Sequence, residues 1–258
     1  MFLIGGGFIL KAVVTGASSG IGRDIAINLV SRGYKVYAVA RRSQRLEELK
    51  KEIGDNIVPL VYDISKEEDC FTLYNEIKDE NIDILVNNAG LGVFGFFSDT
   101  DLEKELTMID TNIRAVHVLT KLFLKDFLKR NNGCILNVAS SAGYMMGPLL
   151  AGYYATKAYV LRLSQAINRE IKEEGYNVRV SVLCPGPVKT EFDSVASVKK
   201  SLKGLSSKYV ADYAIAKLLK GKGVIIPGIT MKFSVFFSSL IPDRILSKIT
   251  YLCQKKKQ

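Results

Sequence analysis

Tyr153 and Lys157 stand four residues apart in the run Tyr153-Tyr154-Ala155-Thr156-Lys157. On a helix they are one turn apart, so both side chains leave the same face. A phenol starts near pKa ~10. An ammonium beside it favours the phenolate, as does any positively charged ring that faces it. Such a pair is a general acid/base for an alcohol or carbonyl oxygen near neutral pH. Ser140 follows the apolar run 134–139. Its hydroxyl can bond the same oxygen and stabilise developing alkoxide charge. Two neighbours compete for these roles. Tyr154 has Ala158 one turn on, which cannot tune a pKa, and Ser141 directly follows Ser140.

A second run with chemistry in it lies near the start. The apolar segment 9–15 leads into Thr15-Gly16-Ala17-Ser18-Ser19-Gly20-Ile21-Gly22, and an amphipathic stretch covers 21–32. Strand, tight turn and helix N-terminus together suit a dinucleotide. Gly16 permits the turn, Gly20 lets the backbone approach a pyrophosphate, and Gly22 lets the helix pack close to the strand. Free N–H groups and the positive dipole end of the helix attract phosphate. The whole turn, with Ser18, Ser19 and Ile21, is expected to border the cofactor. NAD-binding layouts place an acid after the second strand to hold the ribose 2′-hydroxyl. Here Ala40 takes that place, followed by Arg41 and Arg42. A guanidinium without a carboxylate suits a 2′-phosphate, so Arg41 points to NADP(H) over NAD(H).

These residues need a scaffold. The chain has 258 residues, 48% hydrophobic and 24% charged. That supports one sizeable core and excludes wholesale disorder or fibrous architecture. Apolar runs at 9–15, 35–40, 57–62, 82–87, 134–139, 178–183 and 223–226 alternate with helical stretches at 21–32, 43–53, 66–79, 101–130 and 153–173. Continuous apolar strands separated by helices predict an α/β fold: a doubly wound, Rossmann-type parallel sheet of about seven strands with helices on both faces. Ser140 then falls on the carboxyl edge, where such sheets bind ligands. One domain over 1–228 with an extension over 229–258 is the expected organisation. The cysteines at 70, 134, 184 and 253 have no C-x-x-C spacing. They suggest a reducing compartment, with neither a disulfide framework nor a zinc site. His117 reads as a helix-face residue, and no metal site is expected.

TGASSGIG, Asn87-Asn88-Ala89-Gly90, Asn112, Ser140 and Tyr153-x-x-x-Lys157 occur in that order. Over about residues 11–192 the set resembles the short-chain dehydrogenase/reductase family. The resemblance implies an oxidoreductase that moves hydride between NADP(H) and a ketone or alcohol. It favours Ser140 over Ser141, because the thirteen-residue step to Tyr153 matches the family pattern. It implies that Lys157 also grips the nicotinamide ribose, and that Asn112 supports a water relaying protons to Lys157. Asp63 would cap the adenine edge and Asn88 would line the adenosine ribose. Pro185-Gly186-Pro187-Val188-Lys189-Thr190 resembles the family's loop after the sixth strand. There the Val188 backbone would meet the carboxamide and Thr190 a cofactor oxygen. A homo-oligomer, dimer or tetramer, is also implied.

Segments 91–97, 143–152 and 189–207 should border the substrate. The first two are rich in Phe, Met and Leu, which suits a bulky apolar ketone. The basicity is local. Residues 1–198 carry 23 Lys/Arg against 24 Asp/Glu, whereas residues 199–258 carry 13 against Asp212 and Asp243 alone. Apolar and basic residues over 229–257 suit a helix lying on an anionic membrane surface. A flap over the substrate mouth, a dimer arm and a solvated tail are the competing readings. Charge alone would allow nucleic acid, but no motif supports it, so none is expected. Residues 1–8 lack a basic region and read as a short extension or as a start codon assigned too early, not as a signal peptide. A cytoplasmic protein, peripherally attached to membrane, is expected. The other class considered is a cofactor-binding regulator or membrane-surface protein with little catalysis, against which the full catalytic set argues.

Overall fold

The computed structural model describes residues 9–196 and 204–256. The extension expected at 1–8, part of the 189–207 segment and the end of the basic tail lie outside the described residues. The first half contains β1 (Lys11–Thr15), α1 (Gly20–Ser31), β2 (Lys35–Ala40), α2 (Ser43–Ile53), β3 (Ile57–Val61) and α3 (Glu67–Ile77). The second contains β4 (Ile84–Asn87), α4 (Leu102–Ile109), α5 (Val116–Arg130), β5 (Gly133–Val138), α6 (Ala151–Glu173) and β6 (Val178–Leu183). A short pair, β7 (Val188–Lys189) and β8 (Leu205–Ser206), flanks α7 (Phe192–Val195). α8 (Ser207–Leu219), β9 (Val224–Ile225), α9 (Ile229–Ser238) and α10 (Asp243–Lys255) follow.

The main sheet has seven strands in the order β3-β2-β1-β4-β5-β6-β9, all pairs parallel. This is the doubly wound α/β sheet expected from the sequence. β1 pairs with β2 on one side (Val13 opposite Tyr37) and with β4 on the other (Val13 opposite Leu85). The winding reverses between β1 and β4, which opens a crevice at their carboxyl ends. Side-chain alternation along β1 divides the core. Ala12 and Val14 face Ile25, Leu29, Leu46 and Ile215 from α1, α2 and α8. Val13 faces Leu73, Leu119 and Phe123 from α3 and α5. Each of the Val, Leu, Ile and Phe side chains among these, fully buried, contributes about 1.5–3 kcal/mol.

The helical tract expected over 101–130 runs from Leu102 to Arg130, but it is not α-helical throughout. A widened π-helical turn, Asp110–Ala115, joins α4 to α5. It carries Asn112, and such turns tend to mark functional positions. Strand ends differ from expectation by one or two residues, as at β4, which starts at Ile84.

The glycine turn is held from two sides. Gly16 and Gly20 have φ of +67° and +55°, the left-handed region that a side chain disfavours. Asn88 Nδ2 donates to the carbonyls of Thr15 (3.0 Å) and Gly16 (3.4 Å). Thr15 Oγ1 accepts from the N–H groups of Asn88 (2.9 Å) and Ala89 (3.1 Å). The end of β4 is thereby stitched to the turn after β1. A Cβ on Gly22 would lie 2.3 Å from Asn88 Nδ2 and 2.4 Å from the Gly16 carbonyl oxygen. Neither neighbour can retreat without breaking the stitch. Gly22→Ala should therefore destabilise the fold by about 1–3 kcal/mol, read as a lower urea midpoint with an unchanged slope.

Candidate active site

A cavity of about 1060 Å³ runs along the carboxyl edge of the sheet. At one end stand Arg41, Arg42 and Asp63; Gly16, Ser18, Ser19, Gly20 and Ile21 form the middle; Ser140, Tyr153 and Lys157 stand beyond. Asn88, Pro185, Val188 and Thr190 also border it. Two residues expected at the site do not. Gly22 lies behind the turn and acts through packing, and Asn112 is fully buried.

Lys157 is 4% exposed. Its Nζ donates to the Val138 carbonyl at 2.9 Å and lies 5.8 Å from the Tyr153 ring centroid. Burial lowers its pKa from 10.5 to about 8, so near pH 7 it remains an ammonium with little solvent around it. Ser140 Oγ accepts from the Ala142 N–H at 3.1 Å and caps the short turn Ser141–Tyr144. Its hydroxyl also donates weakly to the Pro185 carbonyl, at 3.5 Å. Ser141 borders the cavity too, and its N–H donates to the Pro185 carbonyl at 2.8 Å. Tyr154 is engaged elsewhere: its hydroxyl accepts from Gln254 Nε2 at 2.6 Å, and burial pushes its pKa up.

The Asn112 side chain joins two elements of the site. Its Nδ2 donates to the Leu91 carbonyl (2.9 Å) and Thr156 Oγ1 (3.0 Å), and its Oδ1 accepts from the Leu91 N–H (3.0 Å). Both amide donors are committed. The side chain locks the segment after β4 against α6. A Cβ on Gly90 would lie 3.0 Å from Asn112 Oδ1 and 3.2 Å from Lys157 Nζ, so the three groups are closely packed.

Arg42, passed over in favour of Arg41, makes the closer contacts. Its guanidinium donates to Ser18 Oγ (2.9 Å) and Ser19 Oγ (2.8 Å), and to Glu191 (2.9 Å). Arg41 Nη1 lies 3.7 Å from Asp63 Oδ2. Asp63 also accepts from Ser65 Oγ at 2.8 Å, which turns the chain toward α3. Thr190 packs against Gly20, and its Oγ1 accepts from the Phe192 N–H at 3.2 Å. Beneath the site runs a buried polar ladder that sequence reading missed. Asn87 Nδ2 donates to Thr120 Oγ1 (3.1 Å) and Asn137 Oδ1 (2.9 Å), and Asn137 Nδ2 to Ser164 Oγ (3.0 Å). The polar letters inside apolar strands were its signal. His117 sits on an exposed helix face, its Nδ1 2.8 Å from the Tyr159 hydroxyl. No cluster that could hold a metal occurs among the described residues.

The helix and the turn fit a dinucleotide. Ser19 makes no side-chain cap to α1, and the first turn of α1 carries no acid. Its N–H groups are thus left for an anion, with two arginines beyond them. A cavity that connects such a turn to a buried lysine and a half-buried tyrosine one helical turn away suits a nucleotide-dependent oxidoreductase. The family model for short chain dehydrogenases matches residues 11–200. The chain belongs to that family, whose members are dehydrogenases and reductases acting on CH–OH and C=O groups. It is 38% identical over 189 residues to the NADP-dependent 3-hydroxy acid dehydrogenase of Escherichia coli K12, covering 71% of this chain and 75% of that protein. Among solved structures it resembles a short-chain dehydrogenase from Sphingobium yanoikuyae in complex with NADPH, at TM-score 0.80 and 28% identity over 90% and 93% of the two chains. It also resembles the bulky-bulky ketone specific alcohol dehydrogenase of Comamonas testosteroni, at TM-score 0.75 and 26% identity over 90% and 92%.

The buried ammonium has a consequence for stability. Its folded pKa of about 8 lies below the ordinary 10.5, so between those values the unfolded chain binds more protons. Stability then rises with pH. The penalty is complete below pH 8 and gone above 10.5. Lys157→Met should thus stabilise the cofactor-free chain at pH 7 by on the order of 1–3 kcal/mol less the lost Val138 bond, read as a higher melting temperature. The gain over the unmodified chain should shrink as the melts are repeated from pH 8 upward.

Proposed function

We propose that the chain is an NADP(H)-dependent carbonyl reductase, or reversible alcohol dehydrogenase, for a bulky apolar ketone. One observation carries this reading: a single cavity holds Ser140, Tyr153 and Lys157 at one end and Arg41 and Arg42 at the other. A bound nicotinamide would supply or accept hydride at the carbonyl carbon. The Ser140 hydroxyl orients and polarises the carbonyl oxygen. The Tyr153 hydroxyl donates the proton that turns this oxygen into an alcohol. Lys157 favours ionisation of the phenol and grips the nicotinamide ribose, and Asn112 holds Leu91 and α6 in register around them. Two guanidiniums, with Ala40 where a carboxylate would select NAD, support NADP(H). The NADP dependence named for the E. coli relative and the NADPH in the Sphingobium structure point the same way.

Met145, Leu150, Phe192, Phe233, Phe237 and Ile249 supply apolar wall near the catalytic end. That supports a bulky apolar substrate, and the specificity named for the Comamonas enzyme agrees with it. Family likeness supports a homo-oligomer. Tyr153→Phe should lower turnover with NADPH and a ketone panel by about 10²–10⁴-fold, while NADPH binding, followed by titration, stays within a few fold. Near-normal turnover in that variant would sink the assignment.

The reading of the C-terminal segment as a membrane-surface element is part of the proposal. No helix among the described residues is long and apolar enough to cross a membrane. Phe236, Leu240, Ile245 and Leu252 are each more than half exposed, and none of them lines the cavity. Lys232, Arg244, Lys248 and Lys255 lie on α9 and α10, the helices that carry Phe236, Ile245 and Leu252, with Leu240 in the turn between them. Exposed apolar side chains beside basic ones suit peripheral attachment to anionic lipid at the cytoplasmic face. Changing those four apolar residues to Ser should abolish cosedimentation with phosphatidylserine vesicles at low salt and leave ketone reduction in solution largely intact. Undiminished vesicle binding would remove the membrane role.

A further inference from the structure

Two adjacent side chains after β7 reach toward opposite ends of the cavity. Glu191 turns toward α2. Its carboxylate accepts from Arg42 Nη1 at 2.9 Å and from Arg45 Nη1. The two guanidiniums hold its pKa down at about 2. Arg42 is the same residue whose guanidinium rests on the Ser18 and Ser19 hydroxyls of the glycine turn. The carboxylate is therefore a ligand of the cation cluster at the phosphate end of the cavity.

Phe192 turns the other way. Its ring centroid lies 5.0 Å from that of Tyr153, with the planes 50° apart. Its Cζ lies only 2.7 Å from the point a Cβ on Gly92 would occupy. The ring thus covers one side of the catalytic phenol and fills the space above Gly92. Thr190 Oγ1 accepts from the Phe192 N–H at 3.2 Å and holds the backbone between the two side chains in a tight turn.

Carboxylates and phosphates compete for the same guanidinium forks, and a phosphate brings more charge and more acceptor oxygens. We infer that Glu191 is a tethered competitor of the cofactor's 2′-phosphate, and that its displacement frees Phe192 from Tyr153. The inference rests on reading the cavity as a dinucleotide site with its phosphate end at Arg41 and Arg42. NAD(H) has no group to compete at this point and leaves the pair in place. Selectivity between the two dinucleotides is then set partly by what the phosphate must remove, and is transmitted to the catalytic end through one peptide bond. The arginine and glutamate side chains here are 41–45% exposed, so solvent screens them and the effect is moderate.

The test is calorimetric titration of the full chain with NADP⁺ and NAD⁺ at low salt. Glu191→Gln should tighten NADP⁺ binding about fivefold, the scale of an exposed ion pair, and change NAD⁺ binding less than twofold. Glu191→Asp keeps the charge but shortens the reach, and should recover most of that gain. Equal tightening of both dinucleotides, no tightening, or an Asp variant identical to the unmodified chain would each overturn the competitor. Hydrogen exchange supplies the second readout. Without cofactor, the amides of 190–196 should exchange faster in the Gln variant, and unchanged exchange would overturn the link to Phe192. Failure of the unmodified chain to bind either dinucleotide would be a distinct result, bringing down the reading of the cavity itself.

Discussion

A lysine ammonium held almost out of water sets the terms for everything around it. Among the described contacts its acceptor is the Val138 carbonyl, at the last residue of β5. The strand must end there for that oxygen to face α6. The helix must also come close, and glycine allows it: a Cβ on Gly143 would lie 2.7 Å from the Lys157 carbonyl oxygen. On the far side Gly90 and Asn112 close the space. Backbone ends, small residues and one committed amide thus enclose a charge that burial disfavours. The protein core offsets the cost, and the phenol one turn away gains a neighbour whose field is weakly screened.

The scaffold was largely legible in the sequence because its signals are local and repeated. Apolar strands covered on both faces, interrupted by helices of ordinary length, leave few other arrangements. The glycine turn and the Tyr–Lys pair were legible for the same reason: each is a short run whose spacing already implies its geometry. What escaped depends on paths through space. Arg41 and Arg42 are equivalent as letters, but Arg42 folds back onto Ser18 and Ser19 while Arg41 turns toward Asp63. The widened turn at Asn112 inserts no signal into a helical pattern, since one extra residue per turn leaves composition unchanged. The ladder from Asn87 through Asn137 to Ser164 needed three elements to meet before its donors and acceptors could be matched.

The C-terminal segment shows how composition identifies a feature without locating it. Its apolar and basic character was plain, yet its residues divide between two surfaces. Leu246, Thr250 and Gln254 are buried against the body, and all three line the cavity. Ile245 and Leu252, on another side of the same helix, are exposed. The bond from Gln254 to Tyr154 fixes the helix beside the sequence neighbour of Tyr153. The segment is therefore a wall of the cavity as well as an outer face, and a boundary at 228 divides residues that enclose one space.

The two ends of the cavity differ in dielectric as well as in residues. At the Arg42 end the guanidiniums are nearly half exposed, so solvent and salt screen their attraction and keep it shallow. At the Lys157 end the ammonium is almost out of water, so its field is weakly screened and strong. The chain between the two ends is short. Glu191 and Phe192 sit at the start of α7, where successive side chains diverge by about 100°. That divergence lets one residue answer to the arginines and the next to the tyrosine, without a long lever or a second domain. A displacement of only a side chain's length at one residue then reaches the other through a rigid planar peptide.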